Sequence, residues 1–247
     1  MTALEFRNVS KKLRHTVIAR DMNLSIRDNS FSVIFGAPGS GKSTLLRLIT
    51  GFEKPDKGEI FLHDQPVNRV SSAERNIGYV PQSFALYPHY SVFDNIAYPL
   101  RLMGMNKTDI VPVVEGAARR LQITHLLKKR PDQCSGGEKQ RVAIARGIVK
   151  NTRIFILDDP LTGLDFKLRE RLFDDLRQMK EELAATFIYT TSDPLETLIL
   201  AEDIHVFDGG TIIESGDLAS VYHQPQHVRT MALLGYPTTN LFAGKVT

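Results

Sequence analysis

The sequence predicts an α/β fold on a largely parallel sheet, with an antiparallel β piece at its start and a helical insertion in its middle. Three observations predict it. The apolar runs "FSVIF", "RIFIL", "TFIYT" and "DIHVF" read as buried strands and alternate with helical stretches along the chain. The early segments "LEFRNV" and "TVIARDMNLSI" read as the edge strands of an antiparallel piece. Residues from about Val92 to Val149 are mostly helical, with breaks near Gly104 and at "RPDQCSGGE".

Taken in order, "FSVIF" is a continuous apolar strand that ends at Gly36, and a helix follows from Lys42 to about Ile49. "GEIFL" and "NIGYV" resume strand character before the helical block. After it, "DFKLRERLFDDLRQMKEELA" and "PLETLILA" are helices between the later strands, and "DGG" turns the chain into "TIIES" as a hairpin. In such a sheet the chemistry is expected beyond the strands' carboxyl ends.

Composition narrows the function. The 247 residues, with 42% hydrophobic, supply an ordinary core without staples, and the lone Cys134 excludes an internal disulfide and suits a reducing compartment. A formal charge of +3 is too slight to argue for nucleic acid, and the short clusters "KKLRH" and "LKKRP" read as solvated faces. No run approaches the roughly 18 apolar residues of a membrane span, and the N-terminus lacks a signal-peptide apolar region, so any membrane role comes through a partner.

The strongest motif stands at a strand end. "GAPGSGKST" (Gly36, Ala37, Pro38, Gly39, Ser40, Gly41, Lys42, Ser43 and Thr44) matches G-x-x-x-x-G-K-[ST], with an apolar strand before it and a helix after it. Backbone N–H groups of such a loop wrap phosphates, Lys42 offers charge to the β- and γ-phosphates, and Ser43 offers a hydroxyl to Mg²⁺. The chain is expected to bind a nucleoside triphosphate. "IFILDDPLTGLDF" sets two carboxylates where a buried strand ends, so both are expected to emerge there: Asp158 toward the metal and Asp159 toward an attacking water.

Here the chain resembles a family. "CSGGEKQRVAIARG" resembles the signature segment of ABC ATPases and lies a short distance before the paired aspartates. Gln82 in "YVPQSFALYP" and "PLTGLD" after Asp159 are similar to that family's Q-loop and D-loop. The surrounding text, such as "GFEKPDKGEI" and "AEDIHVFDGGTIIESG", resembles the nucleotide-binding subunits of bacterial carbohydrate and polyol importers of the maltose and glycerol-phosphate types. The resemblance implies a P-loop NTPase (RecA-like) core with an antiparallel β subdomain and an inserted ABC helical subdomain. It implies one ATPase domain over residues 1–235, with the helical subdomain at about 87–151, and 236–247 as the start of a linker toward an absent regulatory domain.

The resemblance further implies ATP and Mg²⁺ as ligands, with Ser43, Gln82 and Asp158 on the metal side. Two ATPase domains would clamp two nucleotides head to tail, each between one subunit's P-loop and the other's Ser135, Gly136, Gly137 and Glu138. Permease subunits would contact the 83–101 region on the cytoplasmic face of the membrane, with an extracytoplasmic substrate-binding protein acting indirectly and no nucleic acid involved. The transported substrate is selected by those membrane and binding proteins.

Several positions depart from the family pattern. Asp159 stands where a glutamate is usual, shorter by one methylene, or about 1.5 Å. Ser192 stands where a histidine is usual, and a serine hydroxyl is shorter and cannot become cationic near neutral pH. His205 is the nearest histidine in sequence, but it falls within the following strand and reads as structural. Glu138 replaces a glutamine and Cys134 a leucine. No aromatic residue stands where adenine is normally stacked; Leu13 is nearest, with His15 the other candidate. Lys42, Gln82, Asp159 and Ser192 thus make the expected catalytic set, with low intrinsic hydrolysis and a non-identical partner subunit as the leading expectation. A self-paired slow importer ATPase and a soluble ABC ATPase are the alternatives.

Overall fold

The computed structural model describes residues 1–164 and 166–235, which divide into two compact units. The expected linker at 236–247 lies outside the described residues. The first unit takes Met1–Ser71 and the chain from Ile188 onward; the second is Ser72–Phe187. In chain order the first unit opens with strands β1 (Thr2–Leu13), β2 (Thr16–Arg27) and β3 (Phe31–Phe35), helix α1 (Lys42–Thr50), and strands β4 (Lys57–Leu62) and β5 (Gln65–Pro66). The second holds β6 (Ile77–Val80), α2 (Val92–Leu102), α3 (Lys107–Arg120), α4 (Gly136–Ile148), β7 (Ile154–Asp158) and α5 (Phe166–Leu183). Strand β8 (Thr186–Thr191) leads back to the first unit, followed by α6 (Pro194–Leu200), β9 (Asp203–Asp208), β10 (Thr211–Asp217), α7 (Leu218–His223) and α8 (Val228–Leu234).

In the first unit β1 to β5 form an antiparallel sheet of order β2-β1-β4-β5. The sequence reading made β1 and β2 both edge strands. Only β2 is one, because β1 also pairs with β4, from Leu4 opposite Leu62 to Ser10 opposite Lys57. In β3 every residue is buried, as its continuous apolar run requires, and the strand lies parallel to β9 with Phe35 opposite Val206. The "DGG" turn joins β9 to antiparallel β10 as expected. The Arg20 N–H donates to the Gly210 carbonyl at 2.9 Å, fastening β2 to that turn.

Lys11 departs from the expected solvated face of "KKLRH". It is buried, donates to the Lys54 carbonyl at 2.8 Å, and lies 3.4 Å from Asp56 and 3.5 Å from Glu53. Lys12, Arg14 and His15 are exposed. The elements missed by pattern reading are short: β5, α7 and α8 span two to seven residues, too few for a periodicity to register.

In the second unit β6 and β7 pair in parallel, with Val80 opposite Leu157, and helices α2 to α4 occupy the block read as helical. Helix α2 is capped by Ser91, whose hydroxyl accepts from the Asp94 N–H, and α4 by Ser135. The amphipathic run in α5 turns Leu172, Phe173, Leu176 and Met179 inward, at the three- and four-residue spacing that keeps one face apolar.

His205 sits within β9 at 3% exposure, and its Nδ1 shares a 3.0 Å hydrogen bond with Ser215 Oγ across the hairpin. Burial pushes its pKa down from 6.5 to about 4. Between those values the unfolded chain binds a proton that the folded chain refuses, so stability falls as pH falls through that window. The histidine is expected to remove about 3 kcal/mol of stability between pH 7 and pH 4. His205→Leu should flatten that slope in urea unfolding; an unchanged slope would mean that the ring is not held neutral.

Candidate functional site

Helix α1 begins at the end of β3, and the loop between them is shaped by backbone proximity. A Cβ at Gly36 would lie 2.4 Å from the Phe207 carbonyl oxygen of β9, so nothing larger than glycine fits. Gly41, at φ 108°, is the N-cap of α1 and supplies no side-chain cap, which leaves first-turn amides without a capping side chain. Lys42 is buried, and its ammonium donates to the Gly36 carbonyl at 2.7 Å and the Ala37 carbonyl at 3.0 Å. Ser40 Oγ is buried with no hydrogen-bond partner, whereas Pro38, Gly39 and Ser43 are exposed and Thr44 is half-buried. Uncapped amides, an orphaned hydroxyl and a folded-back ammonium fit a polyphosphate with its magnesium at this loop.

Two further parts of the first unit reach this loop. The Gly36 N–H donates to the Thr191 carbonyl at 3.3 Å, which sets Ser192, the next residue, beside the loop's entrance. That corner is supported from below by Glu196, a buried carboxylate that accepts from Tyr189 and Thr191 hydroxyls, each at 2.7 Å. Sequence reading passed over Glu196 because a helical glutamate carries no signal of burial. Leu13 ends β1 at the hairpin tip opposite Thr16. Ile18 of β2 is the side chain that meets Gly41, 3.1 Å from where a Cβ would stand. It belongs with Leu13 among the apolar candidates for a base.

The second unit brings Gln82, Asp158 and Asp159 together. The two aspartates were expected to emerge side by side, but Asp158 is 5% exposed at the end of β7 and accepts from the Tyr79 hydroxyl at 3.4 Å. The chain then turns sharply: Asp159 takes a left-handed φ of 45° and stands half-exposed. Its carboxylate accepts from the Gln82 amide at 3.4 Å. Gln82, read as a metal-side group, is thus bonded to Asp159 rather than Asp158.

The same unit carries the serine-glycine segment. Ser135 caps α4 in a reciprocal box: its hydroxyl accepts from the Glu138 N–H at 3.3 Å, and the Glu138 carboxylate accepts from the Ser135 N–H at 2.7 Å. That backbone donor holds the Glu138 carboxyl below the usual glutamate range. The two glycines differ. A Cβ at Gly137 would fall 1.8 Å from Leu168 Cδ2 of α5, whereas nothing stands within 4 Å of one at Gly136. Gly137 is required by packing inside the chain. Gly136 is not, and its φ is not positive, so the fold gives no reason for a glycine there.

Overpacking predicts that Gly137→Ala costs about 1–3 kcal/mol, and that adding Leu168→Ala recovers much of the loss. Gly136→Ala should be neutral or stabilising by up to about 1 kcal/mol. Urea unfolding of the three variants checks this, and a Gly136→Ala more destabilising than Gly137→Ala would refute the assignment.

The chain matches the family model described as "ABC transporter" over residues 19–162. It is 40% identical to the maltose/maltodextrin import ATP-binding protein MalK of Photorhabdus laumondii over 247 residues, all of this chain and 67% of that protein. The Yersinia pestis (strain Antiqua) protein of the same name is 41% identical over the same shares. Among solved structures, a dimeric ATP-binding cassette in a post-hydrolysis state bound to ADP and Pi aligns with a TM-score of 0.80 and 28% identity, covering 87% of this chain and 98% of that one. A second dimeric structure, titled a bacterial ABC transporter cassette, gives 0.81 at the same identity and shares. Among the described residues no helix is long and apolar enough to cross a membrane. The chain belongs to the ABC transporter family as an ATP-binding subunit, an ATPase with the P-loop core, antiparallel sheet and helical subdomain of that family.

Proposed function

We propose that the chain powers import of a sugar or polyol and works as a head-to-tail pair of identical subunits that hydrolyses ATP slowly. The observation that carries the pairing is Gly136: a glycine that the fold does not need, with open space around it at the capped N-terminus of α4, suits close approach by a phosphate held elsewhere. The dimeric state named in the titles of the two cassette structures supports self-pairing, and the import role named for the maltodextrin relatives supports the substrate class. Residues 1–235 form the ATPase domain in this reading, with the helical subdomain at about 87–151. Its partners are permease subunits at the 83–101 region, served by an extracytoplasmic substrate-binding protein.

Each residue then has a task. Lys42 turns from the Gly36 and Ala37 carbonyls to the β- and γ-phosphates, and the amides at the start of α1 bind the same oxygens. Magnesium, when bound, neutralises charge on the phosphates, with Ser43, Asp158 and Gln82 as its protein-side groups. Leu13 and Ile18 offer apolar contact to adenine without stacking. Asp159 accepts the proton of the attacking water and is oriented by the Gln82 amide. Ser192 offers the phosphate a neutral hydroxyl where the family has a histidine.

Slow turnover follows from two of these groups. A carboxylate withdrawn by about 1.5 Å exceeds the roughly 1 Å misplacement that costs about 100-fold in rate. A serine also supplies no cation beside the phosphate. The same departures favour a second reading, in which a non-identical ATPase subunit supplies the working P-loop site and this chain supplies its capped Ser135-Gly136 face to it.

Purified chain with MgATP is expected to turn over below about 1 per second, at the floor of the usual enzyme range. Lys42→Ala should weaken ATP binding about tenfold or more, and Asp158→Asn should weaken its magnesium dependence; unchanged affinities for both would refute the pocket. Asp159→Glu with Ser192→His should raise turnover by more than the product of the single effects, as expected of residues acting as one unit. Sedimentation of an Asp159→Asn chain with MgATP separates the two pairings. A dimer supports self-pairing, whereas a monomer that hydrolyses ATP only with a second, different subunit overturns it.

A further inference from the structure

The loop after Gln82 contains two consecutive left-handed residues, Phe84 at φ 60° and Ala85 at φ 46°. Each costs about 1 kcal/mol or more for a residue with a Cβ, and such backbone persists only where its surroundings hold it. Two side chains hold this loop. From α2, fully buried Asn95 accepts from the Tyr87 N–H at 2.8 Å and donates to the carbonyls of Tyr87 at 3.1 Å, Tyr90 at 3.4 Å and Ser91 at 3.0 Å. From α4, Arg146 donates to the Ala85 carbonyl at 2.6 Å and the Phe84 carbonyl at 2.8 Å, with its guanidinium 5.7 Å from the centre of the Tyr87 ring.

Arg146 is therefore bonded to the strained pair itself. Two donors on successive carbonyls suit the planar fork of arginine and not the single ammonium of lysine. Among the described residues no carboxylate pairs with Arg146, so carbonyl dipoles and an aromatic face answer its charge. Burial depresses its pKa from the usual arginine value. A partly desolvated cation without a counter-ion depends on the hydrogen bonds it makes, so the loop and the helix hold each other.

We propose that Arg146 is a positioning residue that ties the Gln82 loop to the helix whose other end is the Ser135-Gly136 face. Helix α4 is continuous from Gly136 to Ile148, which sets Arg146 about ten residues, or about 15 Å along the axis, from that face. A helix of this length moves as a rod, and Gly137 packed on Leu168 fixes where its far end bears. A shift of Gln82 or of Tyr87 is thereby delivered to the N-terminus of α4. What shifts them, MgATP at Gln82 or a membrane subunit at Tyr87 and Tyr90, rests on the function proposed above.

The test is hydrogen exchange on the full chain, with and without MgATP, for the natural protein, Arg146→Met and Arg146→Lys. Without nucleotide, Arg146→Met should speed exchange at residues 83–87 at least tenfold, and Arg146→Lys by less. On adding MgATP the natural protein should slow at 83–87 and 135–139 together. Arg146→Met should lose the response at 135–139 while its ATP dissociation constant stays within about twofold. Loop exchange unchanged in Arg146→Met, or a loosened loop with 135–139 still responding, overturns the inference. A natural chain that responds to MgATP at neither segment overturns the nucleotide reading instead, and the nucleotide-free comparison then judges the clamp alone. Should Arg146→Met not fold, Asn95→Ala with Arg146 kept provides the contrast: its loop should loosen while 135–139 still responds, and loss of that response would refute the assignment to Arg146.

Discussion

The approach of two backbones at the end of β3 is the constraint from which the phosphate loop follows. The Phe207 carbonyl of β9 stands where any side chain at position 36 would be, so the chain leaves the sheet there as bare backbone. The Gly36 N–H is spent on the Thr191 carbonyl, and the Gly36 carbonyl takes the Lys42 ammonium. The turn that follows opens α1 at Gly41 with no capping side chain, which is the end a phosphate would face. Ser192 is placed by the same bond, since it follows the residue that accepts from Gly36. A larger residue at 36 would push β3 and β9 apart and move the lysine and the Ser192 corner with them.

Helix α4 imposes a comparable constraint on the second unit. Its N-terminus is closed by the Ser135–Glu138 box, its second residue is pinned against Leu168, and its C-terminal turn grips Phe84 and Ala85. Glutamate at position 138 performs this closure as a carboxylate, which adds charge at the positive end of the helix dipole. The same negative charge is a cost if a phosphate is to approach Gly136. Its hydrogen bond to the Ser135 N–H turns the carboxylate back on its own helix and moderates that cost. The departure from glutamine at 138 is thus compatible with a working face.

Much of this was readable from sequence, for physical reasons that differ between elements. The strand–GAPGSGKST–helix unit was readable because glycine, lysine and serine at those spacings serve one purpose, and the buried run of β3 admits one interpretation. Helices α2 to α5 declared themselves as helical stretches between breaks such as Gly104, and the structure adds their caps at Ser91 and Ser135. What failed were facts of tertiary approach. Lys11 looked solvated because its partners, Lys54, Glu53 and Asp56, are some forty residues away, beyond the reach of a local charge pattern. The two glycines of the signature looked equivalent until Leu168 distinguished them. Ile18 and Glu196 carried no motif, and Arg146 stood inside the signature segment without a task of its own, since each is defined by what folds against it.

The backbone at Asp159 bears on why a shorter carboxylate stands there. A left-handed φ of 45° is one that aspartate and asparagine adopt more readily than other residues with a Cβ. A glutamate at this corner meets the left-handed penalty without that local relief. Its carboxylate reaches further only because the chain tolerates strain beneath it. On the role proposed for this carboxylate, aspartate relaxes the corner and shortens the reach in one substitution, a trade of activity for stability.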